Sequence, residues 1–242
     1  MNILNDAQLQ AVAKMSNGCI LNGGVGSGKS RTSIYYYFKE CGGDIIGGHK
    51  KMINPRDLYI ITTASKRDKR EWECELALFA MSTDPSLNYY KNKIVVDSWN
   101  NIKKYKDITG AFFIFDEDRV TGSGVWVKTF LNISRKNHWI INSATPGDSW
   151  EQYIPVFVAN GFYKNKTAFC EEHAVYSKFT KFPCITKYMN TSKLINYRNR
   201  ILVDINVVRD TVPHHKDVIC DYDIRQYKYV QKHRWNIYKD EP

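Results

Sequence analysis

The sequence has no long apolar run. Its longest stretches, such as Ala111-Phe112-Phe113-Ile114-Phe115, are a few residues, far short of the ~20 a membrane-spanning helix needs. The opening MNILNDAQLQ has neither the basic nor the apolar region of a secretory signal, and the final YKDEP is not a retention signal. A soluble, intracellular chain in the cytoplasm, with no membrane partner, is expected. Cysteine is sparse and scattered, at Cys19, Cys41, Cys74, Cys170, Cys184 and Cys220, with no C-x-x-C and no Cys/His pair at zinc spacing. That argues against a zinc cage and a disulfide framework, and points to reduced thiols. Internal repeats and low-complexity tracts are also missing. Acid is under-represented, with 25 Asp and Glu against 35 Lys and Arg, leaving a formal charge of +10. Such a balance suits a polyanionic partner, but it has to be joined to a site before it says more.

What is present is enough to build a core: 43% of the 242 residues are hydrophobic and 14% aromatic. Up to about residue 150, β-rich runs alternate with amphipathic stretches, the pattern of an α/β domain with a mostly parallel sheet flanked by helices. Strands are predicted at Gly18–Asn22, Leu58–Ile61, Lys93–Asp97, Ala111–Phe115 and Trp139–Asn142. Helices are predicted from Ser30 to about Glu40, from Asp68 to about Met81, and near Trp126–Ser134. The glycine-rich, basic segment DIIGGHKKMINPRD between the first two strands reads as an exposed excursion. The pattern then changes. Helices from Thr191 to about Val203 and from Asp223 to Trp235, with a short strand near Val218–Tyr222, form a helical connector extension. The expected division is 1–155 for the α/β domain and 156–242 for the extension.

Residues 23–30, GGVGSGKS, fit G-x-x-x-x-G-K-[ST]. Glycines let the backbone of Gly23, Gly24, Val25, Gly26, Ser27 and Gly28 wrap closely around phosphate oxygens. The helix beginning near Lys29 adds its positive end. Lys29 reaches the β and γ phosphates, and the Ser30 hydroxyl can hold Mg²⁺. A strand precedes the loop and a helix follows it, as this chemistry requires. The cofactors implied are ATP and Mg²⁺.

Residues 112–119, FFIFDEDR, carry a buried strand into two adjacent acids at its C-terminal edge, where ligands bind in open α/β sheets. Asp116 is the natural second contact to Mg²⁺ beside Ser30. Glu117 is the natural general base for water attacking the γ phosphate. The pair favours hydrolysis over a small-molecule kinase; Asp118 and Arg119 complete the box without an independent role.

With SATP at 143–146, the loop and the acidic box resemble the first RecA-like domain of superfamily 2 helicases and translocases. The segments SATPGDSWEQYIPVFVANGFYKNKTAF, KFTKFPCITKY and HRWNIYKDEP are similar to phage-encoded helicases of the Snf-like branch, and extend the likeness over essentially the whole chain. The resemblance implies an ATPase acting on nucleic acid, with DNA as the expected partner, in DNA replication and in the host cytoplasm. It assigns Ser143, Ala144 and Thr145 to coupling the state of the γ phosphate to domain movement. It makes Gln8 the adenine reader, with Gln10 and a plain surface residue as alternatives. It sets Thr62, Thr63 and Ser65 at one strand end, and Ser98 and Trp99 at the next, as nucleic-acid contacts, although each also fits a capped helix start. Lys66 and Arg67 begin a basic run that serves either as a phosphate track or as a solvated helix start.

A complete motor of this kind closes nucleotide between two RecA-like domains. Too few residues follow SATP for a second one, and no Q-x-x-G-R-x-x-R-like segment occurs. The expectation is a first domain with its connector, the second RecA-like domain being absent or supplied by a partner protein. Two function classes follow: a DNA helicase or translocase motor domain, and an ATP-switched DNA clamp without motor activity.

Overall fold

A computed structural model describes residues 3–46, 48–117, 120–178, 182–206 and 221–233. The chain divides into two compact units, Met1–Val207 and Val208–Pro242. The first begins α1 (Asp6–Lys14), β1 (Ile20–Asn22), α2 (Lys29–Glu40), β2 (Leu58–Thr62), α3 (Ala64–Asp68) and α4 (Glu71–Ala77). It continues with β3 (Ile94–Ser98), a 3-10 helix (Trp99–Tyr105), β4 (Phe112–Asp116), α5 (Val125–Ser134) and β5 (His138–Ser143). It ends with α6 (Trp150–Ala159), α7 (Lys166–His173), β6 (Ala174–Tyr176), β7 (Ile185–Tyr188), α8 (Thr191–Ile201) and β8 (Leu202–Asp204). The second unit contributes α9 (Ile224–His233).

Six strands form one all-parallel sheet in the order β3-β2-β4-β5-β1-β8, and β6 and β7 form a separate antiparallel pair. The apolar runs are unbroken because both faces of the sheet are covered. Leu58, Ile60, Phe112, Ile114 and Ile140 pack with Tyr37 and Phe38 of α2 and Trp72 and Leu76 of α4. Their neighbours Tyr59, Ile61, Phe113, Phe115, Trp139 and Ile141 pack with Phe130 of α5 and Phe157 of α6. The period of two sends alternate residues to opposite faces, so each run builds two cores. α1 starts with a capping box: Gln8 N–H donates to Asn5 Oδ1, and Asn5 N–H donates to Gln8 Oε1, both at 2.9 Å.

Two local expectations are corrected. The helix predicted from Asp68 to about Met81 is broken at Arg70, whose φ is +56°: the five-residue α3 ends before it and the seven-residue α4 starts after it. Of Trp72, Leu76, Phe79 and Ala80, which the periodicity puts on one face, the first three are buried and Ala80 is exposed. The helix predicted to run to Val203 stops at Ile201, because the chain turns into β8 and pairs with β1. Ile205 N–H then donates to Asn22 O at 2.8 Å, and Asn22 Nδ2 to Asp204 Oδ1 at 2.6 Å. The sixth strand therefore comes from beyond residue 200, and the boundary expected near 155 falls inside the first compact unit.

The excursion after α2 is tied down. Asp44 and Lys50 exchange backbone hydrogen bonds, Tyr35 OH donates to Asp44, and Met52 is buried. The strand expected near Val218–Tyr222 lies largely outside the described residues, as do Arg234, Trp235, Asp118 and Arg119. Among the described residues Cys19, Cys41, Cys74, Cys170 and Cys184 are free thiols, and burial pushes the Cys19 thiol up to about 12. No helix among them is long and apolar enough to cross a membrane.

Candidate nucleotide site and adjoining strand ends

β1, flanked by β5 and the edge strand β8, ends at Asn22 and α2 begins at Lys29, so the glycine loop sits at the C-terminal edge of the sheet. Gly28 immediately precedes α2 with φ +81°, and a Cβ there would stand 2.1 Å from Gln8 Nε2. At Gly23 a Cβ would stand 2.5 Å from Ser27 Oγ, so any larger residue there has to displace that side chain. The first turn of α2 leaves backbone N–H groups without helix partners, a ready anion site.

Gln8, Val25, Gly26, Gly28, Lys29, Ser30, Lys66, Asp116, Glu117, Asn142 and Ala144 help line one cavity of about 490 Å³, within the ~300–1,000 Å³ range of small-molecule sites. Lys29 Nζ donates to the carbonyls of Gly23 and Gly24. Burial lowers its pKa, the Asp116 and Glu117 carboxylates opposing that and the Lys66 ammonium adding to it. Gln8 is buried, and its Nε2 donates to Ser27 O at 3.1 Å. Its carboxamide thus spans the start of α1 and the loop, while Gln10 is exposed.

The acids stand at the end of β4. Asp116 is 2% exposed, and its Oδ2 accepts from Thr62 Oγ1 at 2.7 Å and Lys66 Nζ at 2.9 Å. Its backbone carbonyl accepts from Trp99 Nε1 at 2.9 Å. Glu117 has φ +60°, a left-handed conformation uncommon outside glycine, and its Oε1 lies 3.2 Å from Lys66 Nζ. Burial by itself would lower the Lys66 pKa; attraction and hydrogen bonds from the two carboxylates outweigh it and raise the value. Ser30 and Asp116 face one cavity with oxygen donors, which suits Mg²⁺, an ion that binds through one or two protein oxygens plus phosphates.

The SATP segment lies against the glycine loop. Gly23 N–H donates to Ser143 O at 3.2 Å, and Thr145 N–H to Ser143 Oγ at 3.2 Å. Ala144 and Thr145 are exposed, and Ser143 is buried. Asn142, whose part in the site was not legible in the sequence, is fully buried and pairs in register with Asp116. Its Nδ2 donates to Ser33 Oγ at 3.1 Å, and its Oδ1 has no hydrogen-bond partner among the described residues. Only the sheet register brings it there.

The two strand ends assigned to nucleic acid share a second, smaller cavity of about 160 Å³, lined by Thr62, Thr63, Ala64, Ser98, Trp99, Asn100 and Trp126. Thr62, Ser98 and Trp99 are buried, whereas Ser65 is exposed. Thr63 accepts from Lys66 N–H and caps α3. The consecutive cations Lys66 and Arg67 part company. Lys66 enters the larger cavity, while Arg67 Nη1 reaches Asp97 Oδ1 at 3.1 Å and Ser98 Oγ at 3.2 Å. Asp97 also accepts from Ser98 N–H, Asn101 and Tyr105, which fastens the end of β3.

No family model matches the chain, and no curated protein matches it in sequence. Among solved structures, the SWI2/SNF2 ATPase core of Sulfolobus solfataricus in complex with dsDNA superposes with a TM-score of 0.61 at 16% identity, covering 84% of this chain and 44% of that one. The Hef helicase domain of Pyrococcus furiosus gives a TM-score of 0.44 at 15% identity, covering 70% and 40%, a likeness too loose to argue from. The chain spans less than half the length of these two structures. Its six-stranded parallel sheet with helices on both faces is a RecA-like α/β fold, shared with the Sulfolobus core.

Proposed function

We propose that the chain is an ATP-dependent DNA translocase or helicase motor domain of the Snf-like branch, acting with a second RecA-like domain. One observation carries this reading. Asp116 faces the glycine-loop cavity and is held, through its side chain and its carbonyl, by Thr62 and Trp99 from the adjoining strand-end cavity. A simple nucleotide-binding protein has no need to wire its metal-side acid to a second surface.

In this account the glycine-loop amides and Lys29 bind the triphosphate. Ser30 and Asp116 hold Mg²⁺, which when bound neutralises charge on the phosphates. Glu117 accepts the proton of the attacking water. Gln8 reads adenine by turning its carboxamide from Ser27. Ser143 and Thr145, hydrogen-bonded beside the loop, pass its state onward. Thr63, Ser65 and the rim of the smaller cavity meet the DNA backbone. The dsDNA bound by the Sulfolobus core supports duplex DNA as the polymer.

Steady-state ATPase measured alone and with single-stranded DNA, duplex DNA and RNA, in the wild type and in Lys29→Ala, tests the proposal. Duplex-stimulated turnover abolished by Lys29→Ala is expected. Turnover indifferent to every polymer would overturn it. The same wiring would serve an ATP-switched clamp, and ATP-driven movement along duplex DNA separates the two: a motor moves and stops in Glu117→Gln, whereas a clamp never moves, ATP-controlled binding being common to both.

A further inference from the structure

Lys66 belongs to a basic run, yet its ammonium is not on the surface track that the run suggests. It lies 2.9 Å from Asp116 Oδ2 and 3.2 Å from Glu117 Oε1, inside the cavity that also contains Lys29 and Ser30. Asp116 Oδ2 accepts from Thr62 as well, so both of its lone pairs are engaged. Thr62 is fixed at the end of a buried strand. Lys66, by contrast, extends from the five-residue α3 on a four-carbon stem and is 30% exposed. Of the two donors it is the one able to leave. Thr63 caps α3 and Arg67 anchors it to Asp97 and Ser98, so the backbone carrying Lys66 stays in place while the side chain moves.

We propose that Lys66 is a resident counter-cation of the nucleotide site, which competes with the divalent metal for the Asp116–Glu117 pair. This rests on the reading of that cavity as an ATP site. Two adjacent carboxylates repel each other, and an ammonium bridging them offsets that repulsion when no other cation is near. A divalent ion entering beside Ser30 and Asp116 meets the ammonium at the same carboxylate, and like charges there oppose each other in a partly buried setting. Lys66 therefore withdraws from Asp116 as the metal arrives. Lys66 is a positioning residue: it acts through the two acids.

The test is Mn²⁺ binding to the nucleotide-free full chain, followed by electron paramagnetic resonance, for the wild type, Lys66→Met, Lys66→Gln and Lys66→Arg. Removing the charge in Met or Gln should tighten Mn²⁺ binding about tenfold or more, a separation within reach of one close charge pair, while Arg should stay near the wild type. Gln keeps a hydrogen-bonding group toward Asp116, which provides a folded neutral variant if Met does not fold. Equal Mn²⁺ affinity in the wild type and the neutral variants, or weaker binding in the latter, overturns the proposal. ATP binding by the wild type, measured in parallel with Lys29→Ala as control, separates the two claims. If ATP fails to bind, the nucleotide-site reading falls. If ATP binds and the Mn²⁺ affinities do not differ, only the counter-cation falls.

Discussion

Replacing Thr62 by valine removes one hydroxyl at the junction of the two cavities and leaves the shape of the side chain nearly intact. Thr62 is fully buried, and its Oγ1 donates at 2.7 Å to Asp116 Oδ2. A hydrogen bond to an ionised group is worth about 1.5–3 kcal/mol. Lys66 still reaches the same oxygen, so Asp116 is not orphaned and the lower half of that range, about 1.5–2 kcal/mol, applies. For a unit of this size each kcal/mol moves Tm by roughly 2–4 °C, giving a fall of about 3–8 °C by calorimetry. Adding Lys66→Met should cost more than the sum of the two single changes, because the double variant leaves a buried carboxylate without either donor. A Thr62→Val melt within about 1 °C of the wild type, or strict additivity with Lys66→Met, would refute this reasoning.

Gly28→Ala places a Cβ 2.1 Å from Gln8 Nε2 at φ +81°, whereas Gly26→Ala meets φ +78° with open space around it. Gly26→Ala should cost only the ~1–2 kcal/mol of left-handed backbone; Gly28→Ala also displaces the Gln8 carboxamide from Ser27 O and should cost about 0.5–1.5 kcal/mol more by calorimetry, and equal effects would contradict the packing argument. Burial alone would raise the pKa of Asp97, but hydrogen bonds from Asn101, Tyr105, the Ser98 N–H and Arg67 outweigh it and hold the carboxyl below its ordinary value. A depressed folded pKa contributes stability that is present above the unfolded value of about 3.9 and lost as pH falls through the folded value. The stability lost in Asp97→Asn, measured by urea unfolding, should therefore be largest near neutrality and shrink below about pH 4; a difference independent of pH would speak against it.

The parts of this molecule legible in the sequence are those built from local signals. Ile20–Asn22, GGVGSGKS and Lys29–Glu40 form a continuous strand, loop and helix, and FFIFD is a short apolar run rich in β-formers, buried at all five positions as a strand. What escaped depended on contacts far apart in the chain. Leu202–Asp204 looks like the tail of a helix, and only pairing with Ile20–Asn22 makes it a strand. The periodicity around Trp72 and Leu76 located the buried face but not the left-handed turn at Arg70. Pro155 within the apolar stretch after PGDS hid α6, which the surrounding core nevertheless accommodates. Lys66 and Arg67 are neighbours of one charge, and no rule based on charge runs could send one to Asp116 and the other to Asp97. Asn142 enters the site only through its register with Asp116.

On the proposed function, Asp116 joins the glycine-loop cavity to the strand-end cavity. This junction is tested most directly by the affinity of Glu117→Gln protein for duplex DNA at fixed salt, with and without saturating Mg²⁺–ATP. Because coupling is reciprocal, a shared element biased by both sites gives a shift of roughly 5–150-fold, and the account predicts a change of at least about fivefold, lost in Thr62→Val. Identical duplex affinities in the two nucleotide states, from a protein demonstrated to bind ATP, would contradict it.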